Sequence, residues 1–253
     1  MATGDKTNLK QVLRDECLPA LGGQSKYYST EAVKAWLQKR KLRCPPATLN
    51  RYFHAFTRAG LVFAAGRGWY SSLATPFTLD REPVSSLVHE LNKTFPLLDF
   101  SCWSTAQIAS YGHHLLAKFV SFVHTERDSM ESVFEFLRDQ GFSAHLNPRG
   151  TSASLFSIRE RTVVVRPKVT TQPVEEHFVT IEGLLVDLFV ESRSLALMDA
   201  GECFQVFRNA TGQGRISMAR VVDYARQRRP AADQLFESIK TGFSTNPALI
   251  DSD

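Results

Sequence analysis

Residues 44–70 read CPPATLNRYFHAFTRAGLVFAAGRGWY. The fold turns on one question about them: a DNA-reading helix and wing, or an ordinary helix and hairpin from a core. Pro45 and Pro46 open the stretch, and Pro46 suits a first helical turn, where its missing N–H costs little. Leu49, Phe53 and Phe56 recur at i, i+4 and i+7, one face of a helix that Tyr52 and Ala59 widen. Gly60 is placed for the C-cap. The opposite face carries Thr48, Asn50, Arg51, His54, Thr57 and Arg58. Such residues suit a major groove, where Arg makes two hydrogen bonds to guanine and Asn two to adenine. LVFAA and WYSSL are β-prone runs around Gly66-Arg67-Gly68, a turn that permits positive φ. Upstream, Leu9, Val12, Leu13 and Cys17 give Asn8 to Leu18 a helical spacing. Ser29 or Thr30 can cap a second helix, with Glu31 in its first turn and Val33, Trp36, Leu37 and Leu42 on its buried face. Helix, helix, helix and hairpin make a winged helix-turn-helix, with Arg67 at the wing tip in reach of a phosphate or the minor groove.

Charge separates the two answers. Residues 1–75 hold twelve Lys and Arg against four Asp and Glu, and the remainder holds eighteen against twenty-two. From Ala32 to Leu79 there is no acid, while Lys34, Lys39, Arg40, Lys41, Arg43, Arg51, Arg58 and Arg67 all fall there. A solvated core helix explains the apolar stripe but not the missing acids. A one-sign stretch repels itself and is kept where it meets an anion, of which nucleic acid is the natural one. The expected DNA contacts are Thr48, Asn50, Arg51 and His54 on bases, with Lys39, Arg40, Lys41, Arg43, Arg58 and Arg67 mainly on phosphate.

The rest of the composition is that of an ordinary globular chain. In 253 residues, 43% are hydrophobic and 22% charged, enough for a sizeable core in one or two domains. No apolar run approaches ~20 residues, so no membrane span is expected. MATGDKTNLKQVLRDE is too polar for a signal peptide, and with the scattered cysteines a reducing cytoplasm is the expected location. Cys17, Cys44, Cys102 and Cys203 are scattered, against a disulfide framework or zinc site. SSLATPFTLDREP marks the change of charge sign and reads as a linker. The expected domains are a winged helix over 1–75, a linker over 76–81, an α/β domain over 82–243 and a loose tail over 244–253.

The second domain alternates helices and strands. Val84 to Phe95 is helical, with Val84, Leu87, Val88 and Leu91 buried. LLDFSCW is a strand, Ser104 or Thr105 caps a short helix, and LLAKFVSFVHT contains a second strand. ERDSMESVFEFLRDQGF is a helix ended by Gly141. SAHLNP, SLFSI and TVVVRP read as further strands. IEGLLVDLFVES fits a buried strand by periodicity alone; its length, together with the family resemblance given below, favours a helix. Asp199 to Phe207 and Ser217 to Arg229 are two more, with Ser217 a good cap. The fold class is therefore mixed α+β: a winged helix-turn-helix followed by a mixed sheet covered by helices.

An active site is harder to assemble. The carboxylates to examine are Asp99, Glu126, Asp128, Glu182, Asp187 and Glu202. A metal-dependent nuclease needs an acid plus a Glu-x-Lys on adjacent strands; HTERD lacks the lysine and VRPK the acid. Asp187 sits in an apolar helix and reads as a packed acceptor for an arginine of the YARQRR helix. His113 and His114 are adjacent and diverge, so with His124 they make a poor metal site. Gly212-Gln213-Gly214 is a loop between helices, and the P-loop pattern is absent, so no cofactor is expected.

STEAVKAWLQKRKLRCPPATLNRYFHAFTRAGLVFAAGRGWYS resembles the N-terminal winged helix of AbiEi-type antitoxins, transcriptional regulators of bacterial abortive-infection toxin–antitoxin operons. The shared elements are a Thr-Leu-x-Arg recognition helix, a closing Gly and a Gly-x-Gly-x-Tyr wing. VVVRPKVTTQPVEE, VTIEGLLVDLFVE and ISMARVVDYARQRR resemble the C-terminal domain of that family, with Gly183 where a lysine is expected after Glu182. The resemblance implies a non-enzymatic autoregulator that binds inverted repeats in its own promoter. It also implies that the chain counters a nucleotidyltransferase toxin encoded beside it. Dimerisation would match palindromic DNA, although no zipper is present. Two other readings stay open: a nuclease-like enzyme targeted by the winged helix, and a protein-interaction module without DNA binding.

Overall fold

The computed structural model describes residues 8–112 and 118–240. His113, His114 and the tail over 244–253 lie outside the described residues. The chain opens with α1 (Leu9–Val12), a π-type turn over Leu13–Cys17 and α2 (Leu18–Gly22). Then come β1 (Tyr27–Ser29), α3 (Thr30–Lys39), α4 (Pro46–Arg58), β2 (Phe63–Ala64) and β3 (Trp69–Ser71). The three strands are antiparallel in the order β1-β3-β2. A hairpin following three helical segments and pairing back onto β1 is the winged helix the sequence predicts. Ser29, not Thr30, caps α3, its side chain accepting from the Ala32 N–H at 3.1 Å. Pro46 is the first residue of α4, and Gly60 just beyond its end takes φ +69°. Leu49, Phe53 and Phe56 bury against Leu13, Cys17, Val33, Leu37 and Val62. Tyr70 of the hairpin lies 4.3 Å from Phe53, ring centre to ring centre.

The body follows with α5 (Glu82–Thr94), β4 (Phe100–Ser104), a 3₁₀ turn over Thr105–Tyr111 and β5 (Val120–Thr125). Next are α6 (Met130–Asp139), β6 (Ser143–Leu146), α7 (Thr151–Ser154), β7 (Thr162–Pro167), β8 (Val174–Glu175) and β9 (Phe178–Val179). Four helices are the last elements of the described residues: α8 (Ile181–Leu195), α9 (Ala200–Gln213), α10 (Met218–Gln227) and α11 (Asp233–Lys240). The strands form one mixed sheet in the order β6-β7-β5-β4-β9-β8. β5, β6 and β7 run parallel, and β4 is antiparallel to β5. Side chains alternate across a strand, and here both faces are covered. Val163 and Val165 pack with α5 and α6 through Leu87, Leu91, Val133 and Leu137. Val164 faces the other way, with Phe122 and Trp103, into the core built on α8 to α11.

Three sequence expectations are corrected. SLFSI is no strand: Ser154 ends α7, the next four residues are irregular, and Phe156 packs edge-on against His145. β7 is already paired on both sides, by β5 and β6, so that segment finds no place beside it. Helix α9 runs past Phe207 to Gln213, so Gly212 and Gln213 are helical rather than a loop. Ser217 precedes α10, yet its side chain makes no capping bond. The β8–β9 hairpin and α11 are elements that the periodicities above do not reveal.

The winged helix is joined to the body by contacts that begin before α10. The Tyr27 hydroxyl donates to the Gly214 carbonyl at 2.8 Å and accepts from the Ile216 N–H at 2.9 Å, both buried. Tyr27 and Ala65 belong to the same apolar cluster as α8 to α10. The segment read as a linker is tied in as well: Arg215 N–H donates to Thr75 and Phe77 N–H to Arg215. The Arg215 guanidinium also donates to the Leu73 and Ala74 carbonyls, at 3.0 and 2.5 Å. The wing turn itself rests on α10. Ala219 N–H donates to the Ala65 carbonyl at 3.3 Å, and Gly66 has φ +97°. A Cβ on Gly66 would fall 2.5 Å from Ala219 Cβ and 2.8 Å from Ser217 Oγ. Gly66→Ala is therefore expected to cost about 1–3 kcal/mol, from positive φ plus overpacking, in urea unfolding. Gly22→Ala, with open space around the added methyl, serves as the control and should change stability far less.

Candidate nucleic-acid interface

Helix α4 buries one face and leaves the other to solvent. Asn50, Arg51, His54 and Arg58 are exposed, and Thr48 is half-buried. Thr57 is half-buried and spends its hydroxyl on the Phe53 carbonyl at 2.9 Å. The turn leading into α4 adds Lys41 and Arg43, and Lys39 ends α3; all three are exposed. Lys41 and Arg43 fall in the turn that leads into the N-terminus of α4, an end whose helix dipole also favours an anion. Arg40 is the committed member: it lies 4.0 Å over the Trp36 ring and 3.7 Å from Glu16. Among the described residues, Lys39, Lys41, Arg43, Arg51, Arg58 and Arg67 form no ion pair.

Arg67 stands apart from that group. It occupies the short turn Ala65–Gly68, whose backbone is held by Ala219 on one side and by the Thr30 N–H donating to Gly68 on the other. Its side chain is exposed, so the wing offers a charge from a fixed position rather than from a loose loop. Beside Ala219 stands Arg220, exposed and without an ion pair among the described residues. Arg220 lies more than 160 residues beyond the end of α4, and no local pattern connects it to the winged helix.

The candidate carboxylates scatter. Asp99 pairs with Lys168, and Glu126 and Asp128 are exposed beside the turn before α6. Glu202 lies in the first turn of α9, behind Asp199, whose side chain caps that helix. Glu182, Asp187 and Glu191 all lie on α8 and are buried. Glu182 accepts from the Ser217 N–H at 2.8 Å and from the Thr180 hydroxyl at 2.6 Å. Asp187 accepts from Tyr224 at 2.7 Å and Gln172 at 2.6 Å, with Arg228 at 3.3 Å. It is thus the packed acceptor that the sequence suggests, with Arg228 as its arginine. Burial pushes its carboxyl up, against the pull of Arg228 and those hydrogen bonds. Glu191 takes Arg166 at 2.5 Å and lies 3.7 Å from Arg228. Two cations thus face two anions in the interior, the balance that buried charge requires. Among the described residues, no three His, Cys, Asp or Glu side chains converge as metal ligands. Gly183 departs from the expected lysine because there is no room: an added Cβ would lie 2.7 Å from Val179 and 3.0 Å from the Pro173 carbonyl.

A family model described as a family of unknown function (DUF6577) matches residues 48–245, and the chain belongs to that family. No curated protein matches the chain. The matched span runs from α4 through the wing and the whole described body, so the junction between the two parts lies inside it.

His124 gives this interior a pH signature. It is fully buried on β5, and its Nε2 accepts from Trp103 Nε1 at 3.2 Å. Nδ1 is buried and has no hydrogen-bond partner among the described residues. Burial pushes the imidazole down from 6.5 to about 3, with Arg228 and Arg166 adding to the shift and Glu191 opposing it. A histidine depressed in the folded state contributes stability that is present above its ordinary value and lost as pH falls toward the folded one. Below pH ~6.5, His124 is expected to cost up to about 1.4 kcal/mol per pH unit in chemical unfolding. His124→Gln should flatten that part of the profile; an unchanged slope from pH ~7 to ~4 would contradict this role.

Proposed function

We propose that the chain is a DNA-binding transcriptional regulator. α4 enters the major groove, and the α3–α4 turn and wing hold the flanking phosphates. One observation carries the reading: the exposed face of the second helix of a helix-turn-helix, and the turn before it, present cations of which Arg40 alone lies near an acid. Thr48, Asn50, Arg51 and His54 read bases. Lys39, Arg40, Lys41, Arg43, Arg58 and Arg67 hold the backbone. Arg40 serves in part through its packing on Trp36. The resemblance to AbiEi-type antitoxins extends the proposal to a cytoplasmic autoregulator on inverted repeats in its own promoter, bound as a homodimer or as cooperative monomers. In that setting the body counters a nucleotidyltransferase toxin encoded alongside. No catalytic step is assigned to the chain. No helix among the described residues is long and apolar enough to cross a membrane.

The test is a titration against the DNA upstream of the gene, beside a scrambled duplex, at several salt concentrations. Preferential binding is expected, with log affinity falling against log salt by ~0.9 per phosphate neutralised. Arg51→Ala should reduce the preference roughly ten- to a hundredfold, as loss of a bidentate base contact does. Arg58→Ala should weaken both duplexes alike and lower the salt slope by about 1. Equal weak binding to both duplexes by the intact protein would overturn the proposal.

A further inference from the structure

The body carries a second concentration of unpaired cations, far from the winged helix in sequence. β5, β6 and β7 are parallel and start at one end of the sheet, where antiparallel β4 finishes. Between these strand ends lies a cavity of about 540 Å³. That is the size of site that takes a nucleotide-sized molecule rather than a lone ion. Its walls include Lys118, Arg159 and Arg161, all exposed and none ion-paired among the described residues. Glu160 also lines it, exposed and equally unpaired, so the wall keeps a net positive charge.

Two aromatic rings share the wall. Phe119 is 42% exposed, although the next residue, Val120, is wholly buried. Phe142 carries the Arg161 guanidinium 4.0 Å above its ring centre, and that guanidinium also donates to the Gln140 carbonyl at 3.1 Å. Arg161 thus holds its position with charge to spare. It does so from a backbone at φ 52°, a left-handed conformation that non-glycine residues adopt at a cost. Ligands of open α/β sheets more often sit at the carboxyl ends of parallel strands. Here that end is filled by the chain itself: Arg166 is bound by Glu191, by Asn147 at 3.2 Å and by the Pro148 carbonyl at 2.8 Å. The opposite end is the one left open.

We infer that this cavity binds a phosphorylated ligand of nucleotide size, its phosphates held by Lys118, Arg159 and Arg161 and its ring stacked on Phe119. Cations set in a concave wall concentrate field on an anion, and an exposed aromatic face takes any planar ring. The inference is independent of the DNA reading. A free nucleotide and a nucleotide within a single strand offer the same chemistry.

Calorimetric titration of the full chain tests it, using ADP, adenosine, pyrophosphate and a short oligothymidylate. ADP is expected to bind at least about tenfold tighter than adenosine or pyrophosphate, because each of these lacks half of the recognised chemistry. Lys118→Ala and Arg159→Ala should each weaken ADP by about tenfold and Phe119→Ala by several-fold. All three should leave the melting temperature and upstream-duplex binding unchanged. Oligothymidylate that displaces ADP and responds to the same variants would identify a strand as the source of the ligand. ADP binding no tighter than adenosine, or ADP affinity indifferent to Lys118→Ala and Arg159→Ala, would overturn the inference.

Discussion

Helix α8 is the element on which the rest of the molecule hangs. It is apolar nearly all round and therefore buried, yet it carries Glu182, Asp187 and Glu191 into the interior. A buried carboxylate is tolerated only when hydrogen-bonded or paired, and each of these is. Glu182 takes the backbone N–H of Ser217, while Asp187 and Glu191 take Tyr224, Arg228 and Arg166. Their common effect is to set α10: the backbone donor just before it, its inward tyrosine and the arginine just after it are all fixed to one helix. α10 and the residues before it in turn carry the contacts that seat the winged helix. These are the bonds of Tyr27 to Gly214 and Ile216, the Ala65–Ala219 bond and the close approach of Gly66.

The consequence for function is directional. With the wing turn seated on α10, the winged helix is no independent reader on a tether. Its exposed α4 face and the body keep one relation, and Arg220 of α10 lies next in sequence to the residue that touches the wing. A change in the body that moves α10 reaches the wing through backbone contacts, without passing through a flexible linker. The open cavity at the strand starts is built on the same sheet that α8 covers.

Much of this was legible in the sequence, and the parts that were not share a cause. The α4 stripe, the α5 stripe and the strand TVVVRP are legible from periodicity, which is local; IEGLLVDLFVES is a strand by periodicity and a helix only by its length and the family resemblance. Asp187 was legible as an acceptor because an acid inside an apolar run needs a donor, and an arginine-rich helix follows. What stayed hidden depends on residues far apart in sequence. Tyr27 and Gly214 are 187 residues apart. β8 and β9 have two residues each, too few for an alternating pattern. SLFSI had strand chemistry, but β7 had no free side. α11 did carry a signal, since Leu235, Phe236 and Ile239 lie on one buried stripe beyond Pro230. The cations of the cavity come from turns before separate strands, and their convergence appears only when the sheet is assembled.

The most direct measurement is amide hydrogen exchange of the full chain, free and bound to the duplex from upstream of its gene. Slower exchange over residues 39–58 and 65–71 on binding, with the sheet of the body unchanged, is the expected result. Binding that leaves residues 39–58 unchanged, or protection confined to the body, would contradict a winged helix that reads DNA through its second helix.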